Sequence, residues 1–160
     1  MVMYIDTNIL LSLSKYDKVD KDVFRSMNKE FYHKDIKIPQ IVLGEALTII
    51  LEKTTDKNKI PEYLDNLKET LFKLECTPDK FPTTNNAVIK CAAELEQISD
   101  VVNHMDSLIL AHPMMDNDAT HFYTKDERLK NPRVHDYVKN LIQTQRRTQE
   151  LNIPADFTEE

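Results

Sequence analysis

The chain has 160 residues and a mass of 18.7 kDa, which suits one domain with a substantial core. Its single glycine, Gly44, excludes both a GxGxxG dinucleotide turn and a GxxxxGK[ST] phosphate loop. Cys76 and Cys91 form no CxxC pair, which argues against a zinc ribbon or a disulfide scaffold, and a net charge of −6 argues against a general nucleic-acid coat protein. No apolar run approaches the roughly 18 residues of a membrane span, and Met1 to Asp6 lack the basic start and apolar stretch of a signal peptide. The expected location is the cytoplasm.

Residues 2–5 form a short apolar run that reads as a buried strand. It stops at Asp6-Thr7-Asn8, where Thr7 or Asn8 would cap a helix over residues 9–13. The polar stretch 15–35 carries a short helix around Val23, Phe24 and Met27. Ile36-Lys37-Ile38-Pro39 reads as a second strand. Residues 41–51 then form a nearly all-apolar helix that shows Glu45 on one face and should bury the others. A third amphipathic helix covers 61–71, and Leu71 to Cys76 would supply a further strand. Asn86 opens a helix with Val88, Cys91, Ala92, Leu95 and Ile98 in one stripe. Asn103 caps the next, Met105 to about Met115, with Pro113 expected to kink or shorten it. Asp116-Asn117-Asp118 is a turn, residues 120–124 are the last clear strand, and helix returns after Pro132.

Strands alternating with helices predict an α/β fold: three layers, α/β/α, around a mainly parallel central sheet of 4–5 strands. The expected organisation is one domain, 1–150, and a loose acidic tail, 151–160. Within it, residues 125–147 carry seven basic side chains against three acidic ones. That local patch suits either a polyanion or a solvated helix face.

Ligands of an open parallel sheet sit beyond the carboxyl ends of its strands. Asp6 and Asp126 occupy two such ends. Glu45 lies among aliphatic residues, and Asp106 precedes Leu108-Ile109-Leu110-Ala111 in the first turn of its helix. Carboxylates in apolar surroundings need partners, and few Lys or Arg residues lie within reach along these segments. If the four converge, hard divalent cations with oxygen ligands, Mg²⁺ or Mn²⁺, are the natural neutralising species. Three of the acids also have a plainer reading: Asp6 as a helix cap, Asp106 as a complement to a helix dipole, Asp126 as a turn residue. Glu45 has no such local reason. Asp116 and Asp118 read as turn residues, and the five histidines show no metal-ligand spacing.

Asp6-Thr7-Asn8 after an N-terminal strand, Glu45 in an apolar helix, Asp106-Ser107-Leu108-Ile109-Leu110-Ala111, and Tyr123-Thr124-Lys125-Asp126 together resemble the PIN-domain nucleases over about residues 2–130. The resemblance implies an acidic quartet of Asp6, Glu45, Asp106 and Asp126 that both binds metal and catalyses. Asn8 would steady the first carboxylate, and Thr124 is the hydroxyl before the last. It implies a Mg²⁺- or Mn²⁺-dependent ribonuclease. Small members of this kind look like VapC-type toxins, which suggests an RNA substrate, an antitoxin partner and a homodimer, with no membrane. Lys125, Arg128, Arg146 and Arg147 are the RNA-binding candidates. Pro113 and the unclear fifth strand near residues 133–137 depart from the family pattern. The competing reading is a PIN-like module that binds RNA or protein without cutting. Receiver and haloacid-dehalogenase-like sites fit poorly, because Asp6 has no paired acid two residues on.

Overall fold

The computed structural model describes residues 2–16, 35–145 and 149–154. The helix expected around Val23, Phe24 and Met27 lies outside the described residues. The elements run β1 (Val2–Ile5), α1 (Thr7–Leu13), β2 (Asp35–Lys37), α2 (Gln40–Lys53), α3 (Ile60–Lys73), α4 (Asn86–Leu95), α5 (His104–Met115), β3 (Ala119–Tyr123) and α6 (Pro132–Thr144). Single 3-10 turns occur at Lys57–Lys59, Pro78–Lys80 and Glu96–Ile98.

Among the described residues the sheet has three strands in the order β2-β1-β3, both pairings parallel. This corrects the expected sheet of 4–5 strands: among the described residues helix predominates. Two segments account for the difference. The stretch from Leu71 to Cys76, read as a strand, instead finishes α3 and turns out through Glu75, whose φ of 51° lies in the left-handed region. The leucine spacing that begins at Leu64 simply continues through Leu71 into the last helical turn. Residues 133–137 are helical as well, because Val134, Val138 and Ile142 make one buried stripe along α6.

All four residues of β1 are buried, so the central strand is covered on both faces. Helices α1, α2 and α3 pack on one another, while α4 packs on α5 and α5 on β3. The core joins both groups through Met3, Ile5, Ile9, Leu10, Ile50, Leu95, Ile109, Leu110 and Phe122, each less than 2 % exposed. Fully burying such a side chain stabilises the fold by roughly 1.5–3 kcal/mol relative to leaving it exposed. Between Val2 and Met3 the register with β3 slips by one residue, and the extra Thr120 donates its hydroxyl to the Val2 carbonyl at 3.3 Å.

Helix α2 is less buried than its composition suggests. Val42, Ala46 and Ile50 face the core, whereas Leu47 is 36 % and Leu51 50 % exposed. The expectation that every face except that of Glu45 would be buried is therefore wrong. A 14-residue helix packed from one side leaves its far face to solvent. Pro113 sits in the last turn of α5, which ends at Met115. Beyond it, Gln149 Nε2 shares its two N–H groups among three carbonyls, at 2.7 Å from Pro113 O, 2.7 Å from Asp116 O and 3.0 Å from Ala119 O.

The stretch assigned to a loose tail begins with ordered chain. Asn152 lies parallel to β3, accepting from the Phe122 N–H and donating to the Thr120 carbonyl, both at 2.9 Å, and Ile153 is buried. An apolar Leu-Asn-Ile stretch supplied the driving force that the acidic composition of residues 151–160 concealed. Among the described residues, no helix is long and apolar enough to cross a membrane.

Candidate active site: a crowded carboxylate cluster

Strand β1 delivers Asp6 at its carboxyl end, and the ladder continues one residue further: Asp6 N–H donates to the Tyr123 carbonyl at 2.9 Å. The side chain is 4 % exposed and doubly engaged. Oδ1 accepts the Thr7 N–H at 2.7 Å, which makes Asp6 the cap of α1 in place of Thr7 or Asn8. Oδ2 accepts the Thr124 hydroxyl at 2.7 Å and lies 3.4 Å from Asn8 Nδ2. Asp6 is thus both a helix cap and a member of the cluster. Asn8 and Thr124, the two supporting residues expected from the sequence, both contact Asp6. Asn8 Oδ1 also accepts the Lys125 N–H at 3.0 Å, and Thr124 Oγ1 accepts the Asp126 N–H at 3.0 Å, so the two ends of β1 and β3 are tied together by side chains. Thr7 Oγ1 is buried with no partner among the described residues.

Helix α5 brings Asp106 to the same place. Asn103 caps it as expected, its Oδ1 accepting the Asp106 N–H at 2.8 Å, and this fixes the first turn from which the carboxylate projects. Glu45, half-buried on α2, and Asp126, in the loop after β3, complete the group.

Two of the four carboxyls are shifted by the charges of the others. Burial pushes the Asp6 carboxyl upward, opposed by the Thr124 and Thr7 hydrogen bonds and reinforced by the charges of Glu45 and Asp126. Burial likewise raises Asp106 to about 6, aided by the charges of Asp6, Asp126 and Glu45 and opposed by Arg128. Asp126 goes the other way. Hydrogen bonds from Arg128 hold it below the usual carboxylate range. Asp6 and Asp106 thus both feel the charges of Glu45 and Asp126, and both are raised.

Arg128, one of the RNA-binding candidates, is bound to carboxylates here. Its Nε and Nη2 grip Asp126 Oδ1 and Oδ2 at 3.1 and 2.8 Å, and Nη2 lies 3.4 Å from Asp106 Oδ2. The signal was an Asp-x-x turn: Asp126 Oδ1 accepts the Arg128 N–H at 3.0 Å, which folds the arginine back over the acid two residues earlier. Of the other basic candidates, Lys125 Nζ lies 3.4 Å from Ser12 Oγ. Arg146 and Arg147 lie outside the described residues. The basic stretch is partly neutralised within the chain, since Lys130 meets Glu127 and Arg133 meets Asp100.

The donor set has the right chemistry for a hard divalent cation: carboxylate oxygens in excess of nearby positive charge. Among the described residues, no three His, Cys, Asp or Glu side chains are drawn together tightly enough to hold an ion by direct coordination. Magnesium tolerates that, since it keeps several of its waters and needs only one or two carboxylates.

The fold recurs in solved structures. VapBC2 from Rickettsia felis, in a crystal structure bound to a DNA fragment from their promoter, matches with a TM-score of 0.62 over 96 % of this chain and 98 % of that one, at 20 % identity. FitAcB from Neisseria gonorrhoeae matches with a TM-score of 0.61 over 79 % of this chain and 88 % of that one, at 14 % identity. At these identities what is shared is the fold. No family model matches the sequence, and no curated protein does either.

Proposed function

We propose that the chain is a divalent-metal-dependent endoribonuclease, the nuclease member of a toxin–antitoxin pair, cutting RNA phosphodiesters at the Asp6, Glu45, Asp106 and Asp126 cluster. The observation that carries this reading is the crowding itself. Asp6, at the carboxyl end of β1, and Asp106, in the first turn of α5, are both raised by burial and by the charges of their acidic neighbours. A fold gains nothing from such crowding unless a ligand relieves it. The shared fold with VapBC2 and FitAcB supports the toxin–antitoxin context, and the sequence resemblance to VapC-type toxins points to the same one. A subunit that grips DNA needs a basic face, whereas this cluster is acidic and the chain carries −6.

Asp6 and Asp106 would be the principal ligands of Mg²⁺ or Mn²⁺, with Glu45 and Asp126 completing the shell through water. A bound ion supplies a water of lowered pKa and offsets charge on the phosphate oxygens. The protein's contribution is placement. Thr7 N–H, Thr124 and Asn8 hold the Asp6 carboxylate in one orientation, and Asn103 holds the helix turn that aims Asp106. The ordered frame lets both acids meet a phosphodiester without paying to reorganise at the moment of reaction. Antitoxin binding and a homodimer belong to the same proposal.

The test is cleavage of a structured RNA with and without Mn²⁺ or Mg²⁺, wild type beside Asp6→Asn and Asp106→Asn. We expect metal-dependent cutting that drops at least about a hundredfold in each variant, since even outer partners of a metal site are worth 10–100-fold. Metal-independent cutting, or variants as active as wild type, would refute the reading. With no RNA cut at all, a Mn²⁺-induced rise in melting temperature becomes the deciding measurement. Its absence would leave only the non-cutting binding module.

A further inference from the structure

We propose that Arg128 is a resident counter-ion: in the metal-free chain its guanidinium occupies the gap between Asp106 and Asp126, and it has to give up that position for a divalent cation to bind. It thereby sets the metal affinity of the site. The inference rests on the metal-dependent reading above and concerns a residue that this reading does not use.

The geometry is that of a bridge. Nε and Nη2 take both oxygens of Asp126 in a fork, at 3.1 and 2.8 Å, and the same Nη2 reaches Asp106 Oδ2 at 3.4 Å. One planar cation thus lies across two carboxylates that come from different elements, the loop after β3 and the first turn of α5. The acids are nearly closed off, with side chains 13 % and 19 % exposed, while the Arg128 side chain is 56 % exposed. The anchor is fixed and the cation is at the surface, so leaving requires only a rotation of an exposed stem. A divalent ion entering this space would meet that positive charge on the oxygens it needs.

Two positive species sharing the same ligands are linked: whatever binding the metal costs in releasing Arg128 is recovered when Arg128 is removed. The experiment is calorimetric titration of the full chain with MnCl₂, together with melting curves with and without Mn²⁺. Arg128→Ala should bind Mn²⁺ about tenfold more tightly than wild type, inside the 5–150-fold span usual for coupled sites. It should melt lower than wild type in chelator, with the gap closing at saturating Mn²⁺. Lys130→Ala removes a nearby charge that is paired to Glu127 at 3.6 Å, and it should shift the affinity by less than about twofold. Arg128→Gln keeps the stem and repeats the measurement if the alanine variant folds poorly. Equal or weaker binding in the Arg128 variants overturns the inference and leaves the metal site standing. Tightening in Lys130→Ala as large as in Arg128→Ala overturns it too, since a general field would then suffice. Absence of Mn²⁺ binding in every protein overturns it together with the metal-dependent reading.

Discussion

Asp106 and Asp116 stand at opposite ends of helix α5, one in its first turn and one at its C-cap, and the two ends treat a part-buried carboxylate in opposite ways. Burial would raise Asp116, but the Lys37 ammonium and the Tyr4 hydroxyl, both at 2.8 Å, and the Asp118 N–H at 3.0 Å together hold it below its ordinary value. Asp106 has the Arg128 bridge on one side and three carboxylates around it, and it rises to about 6. The helix dipole would favour the reverse, a stabilised anion at the N-terminus and a destabilised one at the C-terminus. Local partners outrank the dipole at both ends. A carboxylate given its own cation, hydroxyl and amide is a structural joint. One crowded by its own kind is left with a raised pKa.

The comparison breaks most visibly at the joint. Asp116→Ala strands the Lys37 ammonium and a buried Tyr4 hydroxyl, and should cost about 2–3 kcal/mol in urea denaturation. Asn103→Ala removes the cap that aims Asp106 and should cost about 1 kcal/mol by the same measurement. Asp106→Asn relieves like-charge crowding, so in chelator at pH 7 it should stabilise the chain, by under about 1 kcal/mol once solvent screening is allowed for. With saturating Mn²⁺ that order should reverse. A destabilised Asp106→Asn in chelator would erase the contrast between the two ends.

The smallest effect is in the pH profile. Asp106, raised to about 6, binds its proton more tightly in the folded chain. Its contribution therefore favours folding at the acid end and is lost as pH rises through about 6. His112, lowered to about 4 by burial beside Thr84 at 3.1 Å, acts oppositely. Its contribution is present above about 6.5, the value of the free side chain, and is lost as pH falls toward 4. In wild type the two offset each other over the same window. Urea midpoints of Asp106→Asn should accordingly fall more steeply between pH 6.5 and 4 than those of wild type.

What the sequence revealed and what it hid divide along the same physical line. Apolar run and period located β1, β3 and the helices, because those patterns report burial along one element. Asn103 was legible as a cap, since that bond spans three residues. Strand count was not legible: Leu71 to Cys76 has strand-like composition, and only its packing as the last turn of α3 decides. The four acids could be singled out by their surroundings, yet the Arg128 bridge could not, because it joins Asp126 to Asp106 across 20 residues of chain. Nor could the pairing of Asn152 with β3 be seen, for a single bridge leaves no period to read.

That last pairing bears on the order in which the molecule can be completed. The Thr120 carbonyl and Phe122 N–H that Asn152 occupies are the groups an outer strand otherwise offers to any extended segment of another molecule. All three strands and the cluster at their ends are synthesised before residue 152. During that interval β3 is open to the wrong neighbour, and it is the arrival of Gln149, Asn152 and Ile153 that seals it.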